Sequence, residues 1–370
     1  EKNIGLTVVG PEVPLVAGVV DAFEEQGLTA LGPKKFAAQL EGSKSFAKEF
    51  MRKYNVPTAQ YRMFTRDQVV TAKEYVAGST LPLVIKADGL AAGKGVLICN
   101  NVNEALNGVA EMFEENVFGG AGDSIVIEEF MRGEEASVFA LCDGERYVTF
   151  APAQDHKRIG DDDTGKNTGG MGAFAPAKIV DEKSLTFVKK EIIERVLNGM
   201  KQEGCPYTGF LYCGLMMTEA GPKVVEFNCR LGDPETQVVL PLIDDDFVKL
   251  CLAAAEKKLL SNNVNQKNAT AVCVVMASGG YPDTYPTGKQ IHGLEKFSSS
   301  KDAVAFHAGT KKVDGKIVTS GGRVLGVTAI GRGKDLKETI ALAYAAVGKI
   351  SFEGEYHRTD IGAKGLRYDR

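Results

Sequence analysis

The chain has 370 residues, too many for one ordinary domain at roughly 150 residues each, so two or three are expected. Hydrophobic residues make up 44% of it and charged residues 25%, and a net charge of −4 supplies no global basic field for nucleic acid. No apolar run has the length of a membrane helix. The first residues, EKNIGLTVVG, lack the basic start and apolar core of a secretory signal, so a cytoplasmic protein without membrane partners is expected. Seven scattered cysteines with no C-x-x-C pair argue against a zinc site or disulfide framework, and the four histidines lie far apart. Chemistry is left to carboxylates, lysines and arginines.

In chain order, a strand (Ile4–Val9), a helix (about Pro14–Gln26) and a strand (Leu28–Leu31) form one parallel α/β unit. One unit cannot bury both faces; it is the end of a larger domain or a piece that docks on the rest. Helical spacing returns from Pro33 to Tyr54 and stops at Asn55-Val56-Pro57. A strand from Tyr61, a helix over Asp67–Ala77, strands LPLVIKA and GVLIC, a helix over Val102–Asn116 and the strand SIVIEEF compose an inserted α+β module. After a strand at Ala136–Cys142 and a turn at Asp143-Gly144 comes a loop, Gln154–Gly172, almost without apolar residues, and such long loops are usually functional or disordered. An amphipathic helix over Ser184–Glu203, strands FLYCGLMMT and PKVVEFN, and a helix through Leu240–Leu260 follow. Polar residues near Asn262–Lys267 mark a boundary. Beyond it, strands at Ala269–Ala277, Ala303–His307 and Arg323–Ile330 precede a helix over Lys334–Lys349.

Chemistry concentrates in four segments. In VVEFNCRLGDPETQ, side chains two apart on a strand share a face, so Glu226 and Asn228 project together while Phe227 enters the opposite layer. Two hard oxygen ligands suit Mg2+, which completes its octahedron with water and phosphate; a solvated strand end is the plainer reading of Glu-x-Asn alone. Arg230, two positions on, can neutralise charge on a transferred phosphoryl group, and Asp233 and Glu235 suit an amine or a sugar hydroxyl. In VIKADGLAAGKGV, Lys86 stands on a strand and Lys94 in a loop with Gly89, Gly93 and Gly95. That loop lacks the Walker A spacing and reads as a hairpin flap over polyphosphate, or as a flexible hairpin with solvated lysines. In SIVIEEFMRGEEAS, Glu128 and Glu135 suit ribose hydroxyls, although solvated glutamates explain them as well. In the long loop, Asp155, His156, Lys157 and Arg158 can hold a zwitterion or phosphate, and Gly169, Gly170 and Gly172 let the chain bend round it; a mobile surface loop is the alternative.

Taken in order, flap, long glycine loop and E-F-N strand resemble the ATP-grasp superfamily. More narrowly, LEGSK, VIKADGLAAGKGV, VIEEFMRGEEAS, QDHKR, NTGGMGAFAP, EFNCRLGDPETQ and FHAGT resemble the glycinamide ribonucleotide synthetases, or phosphoribosylamine–glycine ligases, from about residue 4 to the C-terminus. The resemblance implies an α/β and α+β protein: a partial N-terminal parallel α/β domain (1–33), an ATP-grasp domain (34–262) with a lid at about 60–132, and a small β-rich α+β C-terminal domain (266–370). It implies ATP-dependent joining of glycine to 5-phosphoribosylamine through glycyl phosphate, in purine biosynthesis. Glu226 and Asn228 would hold Mg2+, with Mn2+ as the alternative ion. Lys86, Gly93, Lys94, Gly95, Glu128 and Glu135 would bind ATP. Asp155, Lys157, Gly169, Gly170, Asp233 and Glu235 would bind substrates, with Arg230, Lys94 and Asp155 catalytic. His307 and Arg323 are further candidates, which turn and strand structure explains about as well.

The family pattern opens with a strand and a G-N-G-G-R-E turn, and this chain starts after it. At about 30 residues per strand–helix–strand unit, roughly two units are expected to be missing. The accompanying expectation is a chain that binds Mg–ATP but handles phosphoribosylamine poorly, or one that belongs to a multifunctional purine-pathway polypeptide. Another ATP-grasp ligase and a non-catalytic nucleotide-binding module are the competing readings.

Overall fold

The computed structural model describes residues 3–89, 95–113, 123–260, 264–298 and 300–368. Gly93 and Lys94 of the expected flap, and the expected helix end at 114–116, lie outside them.

At the N-terminus, Thr7–Val8 pairs in parallel with Ala30–Leu31. The single helix expected between them is two, Glu12–Ala17 and Val19–Glu25, because Gly18 adopts φ +95° and its N–H closes the first helix on Pro14 O and Leu15 O. This unit docks on the rest. Leu15 and Val20 are buried in one cluster with Val138, Val196 and Phe227, and the approach is so close that a Cβ on Gly209 would lie 2.8 Å from the Cα of Gly32.

The expected Pro33–Tyr54 helix is likewise interrupted. Ser43 is extended (φ −139°, ψ 118°) and caps Lys44–Lys53 by accepting from Phe46 N at 3.0 Å, so the preceding helix ends at Gln39–Gly42. The inserted module expected at about 60–132 contains a four-stranded antiparallel sheet in the order Tyr61–Thr65, Ser124–Glu129, Leu83–Ala87, Val96–Cys99, backed by the helices Val69–Ala77 and Val102–Phe113. Its core of Phe64, Val76, Ile85, Val109, Met112 and Ile127 is separate from the others.

The central antiparallel sheet runs Gly221–Asn228, Thr208–Thr218, Glu134–Asp143, Tyr147–Thr149. Helical residues from Glu182 to Gln202, with a widened turn at Val188–Ile193, cover one face through Val188, Ile192, Val196 and Met200. The expected Leu240–Leu260 helix is broken into Thr236–Val239, a tight turn at Leu240–Leu242, and Phe247–Ala255 capped by Asp246.

The long loop is more structured than its composition implies. Gln154–Asp155 and Gly172–Ala175 pair with each other and join the C-terminal sheet through Ala269–Ser278, while Arg158–Gly160 and Thr164–Asn167 form a hairpin. Ala303–His307 matches its expected bounds, and Arg323–Arg332 and the helix Leu336–Val347 lie within two residues of theirs. A hairpin of Thr310–Val313 and Lys316–Thr319 is additional. No helix among the described residues is long and apolar enough to cross a membrane.

Candidate active site

The strand Gly221–Asn228 carries the expected pair with one added feature. Asn228 lies opposite Tyr212 and Glu226 opposite Gly214, but Val224, not Val225, lies opposite Leu215. Val225 is therefore a bulge, and a bulge resets alternation. Val224 and Phe227 both enter the core, Glu226 is exposed and Asn228 half-buried. Burying Phe227 is worth about 1.5–3 kcal/mol and holds the pair on its face. Gly214 leaves room for the Glu226 stem, whose Cγ would lie 3.2 Å from a Cβ there. In the orientation its partners require, the Asn228 amide nitrogen donates to Glu41 Oε1 at 2.9 Å and to Phe227 O at 3.2 Å.

Lysines gather beside this strand. Lys86 Nζ is 3.0 Å from Glu128 Oε2 and donates to Val225 O at 3.3 Å. Lys48 Nζ is 3.1 Å from Glu128 Oε1 and donates to Thr58 Oγ1 at 2.8 Å; that hydroxyl donates to Val224 O at 2.7 Å. Burial draws Lys48 down to about 8 against the pull of Glu128. Lys44 donates to Gly89 O at 3.0 Å, is lowered by burial, and lies within electrostatic reach of Glu226 and Lys86. Asp88 accepts from Ser43 Oγ, Ser45 N, Ser124 Oγ and Gly89 N. Gly95 is buried.

Two expectations need correction. Glu128 is not a free acceptor for ribose: it is 3% exposed, and each carboxylate oxygen faces a lysine, so it holds Lys48 and Lys86 in place. Arg230 does not stand open on the face of Glu226 and Asn228. Its Nε is 3.3 Å from Glu12 Oε2 and its Nη2 3.1 Å from Glu41 Oε1, which ties this strand to the N-terminal elements.

The long loop brings its charged residues to the same sheet. Lys157 pairs with Glu135, which lies opposite Met216, and Lys157 is within electrostatic reach of Glu226. Glu135 thus pairs with a loop lysine while its side chain stays partly open to solvent. Asp155 is buried, which raises its carboxyl, and its backbone carbonyl accepts from Lys364. Glu235 is 3% exposed; burial and nearby Asp155 push it up to about 7, against the hydrogen bond from Ser137 Oγ at 3.1 Å. Ser137 Oγ is also 2.9 Å from the Tyr212 hydroxyl. His156 is a buried packing residue whose Nε2 accepts from Gly362 N at 3.3 Å, and burial holds it well below its usual range. Arg158 turns away from the sheet to donate to Gly165 O at 2.7 Å.

Arg323 joins two of the expected substrate segments. Its Nη1 donates to Gly169 O at 2.7 Å and Asp233 O at 3.0 Å, and its Nη2 to Asp233 Oδ2 at 2.8 Å. Next to it, a cavity of about 620 Å³ is lined by Val8, Val9, Gly10, Gly232, Asp233, Gln237, Phe306 and His307. His307 is exposed, with Nδ1 2.9 Å from Thr310 Oγ1.

Glu226 and Asn228 are of the donor types that the expected Mg2+ takes. Among the described residues no three His, Cys, Asp or Glu side chains gather into a cage. An exposed carboxylate and an amide oxygen on one strand face are instead the sparse set that Mg2+ takes when water and phosphate supply the remaining ligands.

Family models match the chain in sequence: the phosphoribosylglycinamide synthetase N domain over residues 1–41, the ATP-grasp (A) domain over 42–236 and the C domain over 271–364. The chain belongs to the phosphoribosylglycinamide synthetase family. A curated phosphoribosylamine–glycine ligase of Chlorobaculum tepidum is 51% identical over 366 residues, covering 99% of this chain and 85% of the relative. One from Pseudomonas aeruginosa is 48% identical over 370 residues, covering 100% and 85%. The crystal structure of the Thermotoga maritima phosphoribosylamine–glycine ligase superposes with a TM-score of 0.81 at 37% identity, over 90% of this chain and 81% of that one. The biotin carboxylase domain of Hydrogenobacter thermophilus 2-oxoglutarate carboxylase, at 17% identity and TM-score 0.75 over 95% and 76%, shares the ATP-grasp fold.

Four charged residues beside the expected site, Glu41, Lys44, Lys48 and Asp88, are not among the candidates that the sequence marks. The first two stand in the LEGSK motif, and the signal was available: a Ser that can cap a helix, flanked by a carboxylate and a lysine. Nothing in the spacing of Lys48 or Asp88 marks either one.

Proposed function

We propose that this chain joins glycine to 5-phosphoribosylamine at the expense of ATP, giving glycinamide ribonucleotide, ADP and phosphate. A carboxylate resists attack by an amine because oxide would have to leave. The γ-phosphoryl group of ATP therefore passes to the glycine carboxylate, forming glycyl phosphate and ADP. The amine of phosphoribosylamine then adds to the glycyl carbonyl, the carbonyl–phosphate bond breaks, and the amine gives up a proton as the amide forms. Lys44 and Lys86 would share the charge of the polyphosphate, and the Lys157–Glu135–Asp155 group would match the charges of a zwitterion. Glu226 and Asn228 would hold Mg2+, which when bound neutralises phosphate oxygens. The loops joined by Arg323 would exclude water from the acyl phosphate.

The observation that carries this reading is the convergence of the Glu226–Asn228 strand face, the lysines of LEGSK and VIKADG, and the charged end of the long loop. Curated phosphoribosylamine–glycine ligases about half identical over the whole chain support it. Glycine-dependent ADP release, measured with and without phosphoribosylamine, tests it. Release requiring both substrates, with glycine hydroxamate formed when hydroxylamine replaces the amine, is the expected result. ADP release indifferent to glycine would refute it.

A further inference from the structure

We propose that Glu41 is the positioning residue that makes Asn228 a metal ligand, and that its presence is why an amide rather than a carboxylate stands at 228. This rests on the reading of Glu226 and Asn228 as the metal pair. Glu41 lies in the short helix Gln39–Gly42, and its side chain is 6% exposed behind the catalytic strand. Three donors from consecutive residues converge on its carboxylate. Cys229 N donates to Oε2 at 2.7 Å, the Asn228 amide nitrogen donates to Oε1 at 2.9 Å, and Arg230 Nη2 lies 3.1 Å from Oε1.

Burial raises the Glu41 carboxyl to about 7, opposed by Arg230 and the Cys229 N–H; in the ionised form that faces these donors it only accepts, while an amide presents a donor on one side and an acceptor on the other. Glu41 therefore selects one of the two amide orientations. Both amide hydrogens are used, one on Glu41 and one on Phe227 O, and Oδ1 is turned away from Glu41 on the strand face that Asn228 shares with Glu226. The opposite orientation would set two oxygens against each other at hydrogen-bonding distance and offer the metal an NH2 group. An aspartate at 228 would meet Glu41 carboxylate to carboxylate. Groups that hold metal ligands by hydrogen bonds from behind typically matter by roughly 10–100-fold in metal affinity.

The test is Mn2+ binding to the full chain with ADP present, followed by electron paramagnetic resonance, so that no turnover is needed. Glu41→Gln keeps the size of the side chain and an acceptor for Cys229 N, yet offers Asn228 an NH2 group; Mn2+ affinity should fall by roughly 10–100-fold. Asn228→Asp should fall comparably. The reciprocal exchange Glu41→Gln with Asn228→Asp restores one donor facing one acceptor, and should recover affinity to within about threefold of the parent. A purely structural role for Glu41 would not produce that rescue. A parent that binds Mn2+ while Glu41→Gln binds within twofold of it, or a double exchange no better than the singles, would overturn the proposal alone. A parent–ADP complex that takes up no Mn2+ would overturn the metal reading and the proposal with it.

Discussion

Gly170 offers a sharp test of how the loop proposed to bind substrate is held. Its φ is +111°, and an added Cβ would lie 2.4 Å from Pro234 Cδ and 3.5 Å from Asp233 O. Pro234 is a buried, rigid ring, so the loop itself must move to accommodate Gly170→Ala. Gly204 supplies the control: its φ is +75°, and an added Cβ meets nothing within 4 Å. Both substitutions incur the left-handed backbone penalty of about 1–2 kcal/mol, partly offset by about 0.4–1 kcal/mol from the stiffer unfolded chain. Only Gly170→Ala adds overpacking, typically about 1–3 kcal/mol. Gly204→Ala should therefore lose about 1 kcal/mol and Gly170→Ala about 2–4 kcal/mol. The larger strain is relieved by displacing Gly169–Gly170 from Arg323 and Asp233. Denaturant midpoints and the glycine concentration dependence of ADP release measure the two effects. Gly170→Ala should raise the KM for glycine by about tenfold or more, and Gly204→Ala should leave it within twofold. Equal midpoints and equal kinetics in the two variants would refute the idea that contact with Pro234 holds the loop.

Three further outcomes follow from buried charge. Glu235 has a folded-state pKa near 7, above its ordinary 4.5, so its contribution to stability is fully present below pH 4.5 and is lost as pH rises through about 7. Glu235→Gln should remove that dependence, gaining up to about 3 kcal/mol on the parent between pH 5 and pH 8 in urea titrations; parallel curves would exclude it. Lys48→Met leaves Glu128 buried with one lysine, and should lower stability by about 3–5 kcal/mol by equilibrium unfolding, with a loss under 1 kcal/mol counting against the network. Arg358 is 1% exposed and pairs with Asp163 and Asp360, so Arg358→Met should strand these carboxylates. Limited proteolysis should then cut the hairpin at 158–167 first, and an unchanged cleavage pattern would show that Arg358 does not hold it.

Local patterning carried much of the fold. The alternation in VVEFN placed Phe227 inside and Glu226 with Asn228 outside, and apolar runs located three of the C-terminal strands to within two residues. Helix breaks were less legible. Gly18 and Ser43 sit within continuous apolar spacing, and what ends each helix is a local backbone conformation, left-handed at Gly18 and extended at Ser43, that the spacing does not register. The bulge at Val225 was equally hidden, since it is defined by register against Leu215 in another strand.

By itself, the sequence determined which side chains of a strand share a face, as Glu226 and Asn228 do, because side-chain direction follows from a backbone period only a few residues long. Only the tertiary structure decided which charges are free. Glu128 is taken by Lys48 and Lys86, Arg230 by Glu12 and Glu41, Asp233 by Arg323, and the acidic turn at 161–163 by Arg358, partners separated by up to about two hundred positions. Such pairs depend on how sheets and helices stack, and stacking is set by the whole buried surface rather than by any motif.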